Sequence, residues 1–340
     1  MLPLRIILKH AEQRLTSGPQ PERARRDAEL LLCHALGRDR AWLLAHTNNG
    51  IEVEQGERYD ALLIRRATGE PIQYITGETE FYGLPFLVTP DVLIPRPETE
   101  QLVEKVIELA VSLQSPRIVD VGTGSGAIAV SLADALKGHD FSRAETQQND
   151  VGALVDVGTG SGAISVSLAH ALKGHDFSRA ETQQNDVGAL APAGRPSTTI
   201  TATDLSAPAL TIARENATRN QTTLRFLQGD LLTPVADEQF EIVVSNPPYV
   251  PDPDRPTLAV EVRDHEPALA LFAGQDGLDI YRRLIPQAFA HLVPGGFLVL
   301  EIGYNQSPAI HDLLAVSGFQ NIEFLPDLQQ IPRVAVAQRP

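Results

Sequence analysis

The sequence predicts an α/β protein with a doubly wound, mostly parallel sheet that follows a small helical domain. Three observations predict this fold. From residue 117 onward, short apolar runs alternate with stretches of helical periodicity, the pattern of a parallel sheet covered by helices. The first of these runs leads into a glycine-rich turn, as strands that precede a nucleotide-like ligand do. Before them, the chain to about residue 75 shows helical periodicity.

The N-terminal third predicts a helical domain and a connector. Apolar residues recur at helical spacing from Leu4 to Leu15, and similar patterns continue to residue 73. Residues 74–94 predict a β-hairpin, with strands near 74–77 and 81–88 that are punctuated by glycine. Prolines and acids at 95–100, including Pro97, then predict the start of a helix that runs to about residue 113.

Residues 95–340 predict the doubly wound domain. Two strands near its end, at 319–324 and 333–336, fit an antiparallel edge of the sheet. The parallel strands and two of the helices between them are predicted, in chain order, at residues 118–121, 199–203, 207–219 (helix), 223–227, 241–245, 278–292 (helix) and 297–302.

Composition narrows the function. The 340 residues carry a net charge of −15, which argues against a protein that coats nucleic acid or an anionic membrane, since both are bound mainly by cationic charge. The single cysteine, Cys33, excludes an internal disulfide and offers no metal cluster. No signal peptide and no bilayer-length apolar run is present. We therefore expect a cytoplasmic monomer.

A tandem repeat is the most unusual feature of the chain. Residues 119–154 recur as 155–190 with two differences, Ala129 against Ser165 and Asp134 against His170. Each copy carries a Gly-Thr-Gly-Ser-Gly turn: the first runs through Gly122, Thr123, Gly124, Ser125 and Gly126, the second through Gly158, Thr159, Gly160, Ser161 and Gly162. Such glycines let the backbone turn sharply and let a ligand approach the main chain. A plain tight turn is the alternative.

Two acidic residues follow the next two predicted strands. Asp204 lies between a strand and a helix, where a carboxylate can hold both hydroxyls of a ribose; a helix cap is the alternative. Asp230 ends the following strand, where it could hold an adenine amino group, or it is simply a turn residue. No Gly-Lys-Ser/Thr sequence is present, which disfavours a triphosphate loop.

The most informative motif is Asn246-Pro247-Pro248-Tyr249, directly after a predicted strand. Two prolines stiffen the loop and remove backbone donors, so that carbonyls remain as acceptors. The Asn246 side-chain oxygen and the Pro247 carbonyl can accept both hydrogens of a planar amino group, while the Tyr249 ring covers its face. This grip suits an amide or aryl amine and favours in-line displacement at a methyl group.

With these residues the chain resembles the HemK-type peptide chain release factor glutamine methyltransferases, which are Rossmann-like and depend on S-adenosylmethionine. The resemblance covers nearly the whole chain except the extra repeat. It rests on residues 69–74, 92–100, 119–126, 246–249, 265–269, 274–278 and 301–306.

The resemblance implies a division of labour. Residues 1–73 would hold the release factor, 74–94 would connect, and 95–340 would methylate the glutamine of its Gly-Gly-Gln loop, without metal. Asn246, Pro247 and Tyr249 would be catalytic and, with Pro248, would bind the glutamine. The cofactor would contact Gly122, Thr123, Gly124, Ser125, Gly126, Asp204, Asp230, Leu231 and Asn246. Leu231 departs from relatives that place an aromatic residue against the adenine.

Three other functions stay open at this point. A ribosomal-protein glutamine methyltransferase shares the Asn-Pro-Pro-Tyr loop, and an adenine-N6 DNA methyltransferase would hold a flipped base with it. An inactive protein that only binds the release factor would result if the repeat abolished catalysis.

The repeat itself raises the question of which copy builds the site. If both strands entered the sheet, Asp204 would move away from the Asn246 loop by one strand spacing, about 4.8 Å. We therefore predict that one copy forms the central strand and that the other is displaced. The short link before residues 119–154, and Ala129 in place of a buried hydroxyl, favour the first copy. Exchange between the copies stays open.

Overall fold

A layer of helices occupies the N-terminal part of the chain. The computed structural model describes residues 2–113, 115–137 and 198–340. Within the first range, five α-helices enclose one apolar core with Leu4, Leu31, Leu32 and Leu43 fully buried at its centre. These helices, α1 to α5, span Leu4–Thr16, Ala24–Leu36, Arg40–Ala45, Val53–Ala67 and Ile72–Thr76.

The hairpin begins later than predicted. Residues 74–76 are helical, not part of a strand, because Pro71 precedes α5 and Gly77 ends it at a φ of +80°. Apolar residues in a single helical turn resemble a short strand in sequence, which explains the error. The strands are β1, Glu78–Phe81, and β2, Leu84–Leu87, and they pair antiparallel.

The remaining described residues build a seven-stranded sheet. Its strands are β3 Arg117–Val121, β4 Thr199–Asp204, β5 Arg225–Gln228, β6 Phe240–Ser245, β7 Leu292–Glu301, β8 Gln320–Pro326 and β9 Pro332–Gln338. They lie in the order β5-β4-β3-β6-β7-β9-β8, in which β9 pairs antiparallel with β7 and β8 and the other neighbours are parallel. The predicted α/β fold with an antiparallel edge is confirmed.

Helices cover both faces of this sheet. Residues of α6 (Thr99–Val111) and α7 (Ala127–Ala135) belong to the core on one face, and residues of α10 (Asp279–His291) and α11 (Ser307–Val316) to the core on the other. The helix predicted near residue 95 begins only at Thr99, because Arg96 and Pro97 form a turn whose carbonyls accept from Thr99 and Glu100. The helices are α6 Thr99–Val111, α7 Ala127–Ala135, α8 Ala207–Arg219, α9 Val260–His265, α10 Asp279–His291 and α11 Ser307–Val316.

The first copy of the repeat supplies β3, and the second copy lies outside the described residues. The start of β3 is fixed by residues that precede the repeat. Arg117 donates to the Glu241 carboxylate through its backbone N (2.6 Å), Nε (3.1 Å) and Nη2 (2.8 Å). Ile118 is fully buried between β4 and β6. Before the second copy the corresponding residues are Ala153 and Leu154, and an alanine has no guanidinium to form the two side-chain bonds that Arg117 makes with Glu241.

Two buried polar residues join these parts. Arg66, on α4, donates to Asp27 of α2 (2.6 Å) and pairs with Glu261 of α9 (2.5 Å), and its side chain is 3% exposed. Asn216, on α8, is fully buried; it accepts from Leu87 N (2.7 Å) and donates to the carbonyls of Leu87 (3.0 Å) and Ser125 (2.9 Å). Asn216 therefore ties the hairpin to the glycine turn.

No helix in the three described ranges combines the length and the apolar character that a membrane crossing requires.

Candidate active site

The carboxyl ends of β3, β4 and β6 meet at one edge of the sheet, where a cavity opens. In parallel sheets, ligands bind at this edge. The structure brings together in the cavity wall many of the predicted site residues: Gly122, Gly124, Asp204, Asp230, Leu231, Asn246 and Pro248. Thr123, Ser125, Gly126, Pro247 and Tyr249 do not line it. The second turn, residues 158–162, lies outside the described residues.

Four of the five backbone N–H groups of the glycine turn donate to other groups of the protein. Gly122 N and Thr123 N donate to the Thr203 carbonyl at 2.9 and 3.0 Å. Gly124 N donates to Asp204 Oδ2 at 2.8 Å, and Gly126 N to the Thr123 carbonyl at 2.8 Å. A phosphate-binding loop keeps such N–H groups free for its ligand. The turn is therefore suited to a ligand without a phosphate at this position.

Gly124 and Gly126 serve different purposes. At Gly124, with a φ of +55°, an added Cβ would meet no atom within 4 Å, so this glycine leaves open space in the cavity. At Gly126 an added Cβ would lie 3.1 Å from the Cβ of Ala213, so the glycine lets α7 approach α8.

Thr123 and Ser125 lie in the protein interior, on the side of the turn away from the cavity. Both are buried, and the Thr123 hydroxyl donates to Asp120 Oδ2 at 2.6 Å. Burial raises the pKa of Asp120 to about 7, although the bond from Thr123 lowers it. These residues shape the turn and do not reach the cavity.

Asp204 faces the cavity from the end of β4. Its Oδ2 accepts from Gly124 N and its Oδ1 from Ser206 N, both at 2.8 Å. Burial raises the pKa of this carboxyl, and the backbone donors oppose the rise. The helix cap is Ser206, whose side chain accepts from Ala209 N. Asp204 is therefore not the cap of α8, and its carboxylate is fixed against the glycine turn.

Asp230 and Leu231 form the far side of the cavity. Asp230 is ion-paired with Arg283 of α10, which sequence patterns did not indicate. Its carbonyl also accepts from Thr233 N at 3.1 Å, so Asp230 is a turn residue as well. Leu231 adopts a φ of +50°, and its carbonyl accepts from Thr203 Oγ1 at 3.0 Å. Arg283 therefore neutralises one of the three acids in the cavity wall, which are Asp91, Asp204 and Asp230.

The Asn-Pro-Pro-Tyr loop begins where β6 ends. Ser245 Oγ donates to the Val121 carbonyl at 2.6 Å, which holds the ends of β6 and β3 together. Asn246 lines the cavity, and its Nδ2 donates to Thr99 Oγ1 at 3.2 Å. Pro247 is buried, and the Tyr249 carbonyl accepts from Gln306 Nε2 at 2.9 Å. The loop is thus held at both ends.

Behind this loop lies a carboxylate to which the sequence analysis gave no role. Glu301, the last residue of β7, accepts from Thr99 Oγ1 at 2.6 Å and from the Tyr249 hydroxyl at 3.4 Å. Burial raises the pKa of Glu301 to about 7. Thr99 and Glu301 both lie in motifs that support the resemblance, at residues 92–100 and 301–306, so the sequence indicates that each belongs to a motif. Their contacts with Asn246 and Tyr249 are tertiary and cannot be read from the sequence.

Comparisons with known proteins identify families that match the helical domain and the sheet domain. Residues 7–77 match the PrmC N-terminal domain, and residues 185–262 match the methyltransferase small domain. A release factor glutamine methyltransferase from Koribacter versatilis (strain Ellin345) is 37% identical over 334 residues, which are 98% of this chain and 96% of that protein. One from Moorella thermoacetica (strain ATCC 39073 / JCM 9320) is 38% identical over 339 residues, 99% of this chain and 98% of that protein.

The chain belongs to the release factor glutamine methyltransferase family. The resemblance drawn from the motifs is confirmed. In this member of the release factor glutamine methyltransferase family, the first match covers α1 to α5, and the second includes β4, β5, β6 and the Asn246 loop.

Proposed function

We propose that this chain transfers a methyl group from S-adenosylmethionine to the side-chain amide nitrogen (N5) of the glutamine in the Gly-Gly-Gln loop of peptide chain release factors. One observation carries the proposal: Asn246 lines the same cavity as Gly122, Gly124 and Asp204. A cofactor against the glycines and an amide against Asn246 would therefore share one space. The names of the relatives, matched over almost the whole chain, support the same reaction.

The residues of the cavity fit the cofactor. S-adenosylmethionine supplies an electrophilic methyl group when bound. It carries no phosphate, which suits a turn in which four of the five N–H groups are already bonded. Asp204 would accept from the ribose hydroxyls, and Leu205, Leu231 and Ile280 would contact the adenosine. In this proposal the first copy of the repeat holds the cofactor, because its strand is the one anchored by Arg117 and Glu241.

The chemistry of the substrate explains the Asn246 loop. The lone pair of an amide nitrogen is delocalised, so the nitrogen is a weak nucleophile and must be oriented with care. Asn246 Oδ1 would accept one of its hydrogens from the cavity wall. The Pro247 carbonyl and the Tyr249 ring, which follow in the loop but do not line the cavity, would accept the second hydrogen and pack against the plane of the amide once the substrate is bound. Holding both hydrogens fixes the direction of the nitrogen towards the methyl group and favours in-line attack. The proton that leaves after methylation passes to solvent.

A direct assay tests this proposal. The purified chain, isotopically labelled S-adenosylmethionine and a purified release factor should give label on the Gly-Gly-Gln glutamine, located by mass spectrometry. A release factor with that glutamine changed to alanine should stay unlabelled. Asn246→Ala should lower kcat by roughly 100-fold or more, because one acceptor of the transition state is lost. Gln329→Ala, which removes an exposed amide in the turn between β8 and β9, is the matched control.

The same assay separates the other functions. Label on a ribosomal protein or on adenine-containing DNA, with none on the release factor, would overturn the proposal. Stable binding of the release factor without product would identify an inactive relic.

The proposal also includes a cytoplasmic monomer that requires neither nucleic acid nor a membrane. The net charge of −15 supports this part, since it weakens attraction to anionic partners.

A further inference from the structure

A buried carboxylate contacts the substrate loop directly at Tyr249 and indirectly, through Thr99, at Asn246. Glu301 is 3% exposed and Thr99 is 4% exposed, so water does not screen their contact. The two oxygens of Glu301 have different partners: Oε2 accepts from Thr99 Oγ1 at 2.6 Å, and Oε1 accepts from the Tyr249 hydroxyl at 3.4 Å. Glu301 thereby joins the end of β7 to the start of α6 and to the loop after β6.

The contact with Thr99 determines which way the Asn246 amide faces. A threonine hydroxyl has one proton, and Thr99 gives it to Glu301. Towards Asn246 the hydroxyl can then only accept, and it accepts from Nδ2 at 3.2 Å. With its nitrogen held by Thr99, Asn246 keeps Oδ1 as the group available to the cavity. An acceptor in that place is what the hydrogens of a substrate amide require.

We propose that Glu301 is a positioning residue that acts through Thr99 to keep Asn246 Oδ1 turned towards the substrate amide, and through the Tyr249 hydroxyl to hold the ring in place. The inference rests on the proposed function, because it assigns a reason for orienting a group that would bind the glutamine. Glu301 does not touch the substrate.

The arrangement depends on the charge of Glu301. A protonated Glu301 can donate to Thr99, whose own proton then turns to Asn246 and favours the flipped amide. A flipped Asn246 presents Nδ2, a donor, to the donors of the substrate. Productive binding therefore requires the carboxylate, and activity should fall as the pH drops below the pKa of Glu301.

The surroundings place this transition near neutral pH. Burial raises the pKa of Glu301 to about 7, the hydroxyls of Thr99 and Tyr249 lower it, Glu98 raises it and Arg333 lowers it. From α10, the Tyr281 hydroxyl donates to the Glu301 carbonyl at 2.7 Å. Below a pH of about 7 Glu301 becomes protonated and no longer supplies the carboxylate that productive binding requires. Activity should therefore fall as the pH decreases below about 7.

The test is methylation of purified release factor from pH 5.5 to 9 by wild type and variants, with kcat and KM measured separately. Glu301→Leu, which removes the acceptor for the Thr99 proton, should lower kcat roughly 10- to 100-fold and leave KM for S-adenosylmethionine nearly unchanged. Glu301→Gln, whose side-chain oxygen can still accept from Thr99 but does not titrate, should remove the fall in kcat below about pH 7. Thr99→Val should cause a loss of kcat similar to that of Glu301→Leu, and Thr99→Ser, which keeps the hydroxyl, should recover most of it. Glu323→Gln, an exposed acid on β8, is the matched control.

The outcomes separate the inference from the function. If wild type methylates the release factor while Glu301→Leu and Thr99→Val keep its kcat and Glu301→Gln keeps its pH profile, the positioning role is wrong and the proposed function stands. A wild type whose kcat is flat from pH 5.5 to 9 also contradicts the inference, and this needs no variant to fold. If wild type gives no product, the proposed function itself fails.

Discussion

Replacing Gly124 with valine should abolish cofactor binding, whereas the same change at Gly160 should leave it intact. The Cβ of a residue at 124 would enter open space in the cavity, so the valine methyls would displace the ligand from Asp204. Hydrogen bonds to a charged group contribute about 1.5–3 kcal/mol each, so losing two from the ribose costs about 3–6 kcal/mol. At about 1.4 kcal/mol per tenfold, affinity should fall at least about 100-fold.

Titration calorimetry with S-adenosylhomocysteine measures this difference. Valine at a φ of +55° also strains the backbone by roughly 1–2 kcal/mol, so thermal unfolding should be recorded for both variants, and Gly124→Ala should give a smaller loss. Loss of binding in Gly160→Val alone would refute the reasoning and assign the site to the second copy. Equal partial losses in both would favour exchange between the copies.

Three further predictions concern stability. Asn216→Ala leaves the hairpin and the glycine turn without their shared partner, and should lower the free energy of unfolding by about 2–4 kcal/mol in urea titrations; an unchanged midpoint would contradict the linking role. Arg66→Ala leaves Asp27 buried without a cation, while Glu261 keeps only its longer contact with Arg23 (3.7 Å), and the change should cost about 3–5 kcal/mol, seen as a lower Tm. Asp120 has a folded pKa of about 7 against an ordinary 3.8, so folding binds its proton and stability declines as pH rises between these values. Asp120→Asn should remove up to about 4 kcal/mol of the decline between pH 4 and 8, and a variant that keeps it would show another group is responsible.

The sequence predicted the sheet well because its strands are apolar runs that alternate with amphipathic helices. The helix over 207–219 agrees with α8 at both ends, since Ser206 caps it and Pro208 lies in its first turn. Residues 74–76 were assigned to a strand because one apolar helical turn and a short strand have no distinguishing period.

Site residues that belong to a local motif could be predicted from the sequence. Contacts between residues far apart in the chain could not. Gly124, Asp204 and Asn246 each follow a strand, so the rule for parallel sheets placed them together. The ion pair of Asp230 with Arg283 joins residues 53 positions apart, and no local pattern encodes it. The contact of Thr99 with Glu301 spans 202 positions, and the sequence shows only that each residue belongs to a motif.

The boundary of the repeat has a consequence for the history of the chain. The repeated block begins at Val119, two residues into β3, so the repeat does not include Arg117, the residue that pairs with Glu241 among the described residues. Had the copied block started at residue 117, both copies would carry the arginine that bonds to Glu241, and two equivalent strands would compete for the position between β4 and β6. Because the block starts at residue 119, only the first copy is preceded by Arg117, whose bonds to Glu241 hold the start of β3 beside β6. The duplication could therefore lengthen the chain without creating a second strand with the same anchor.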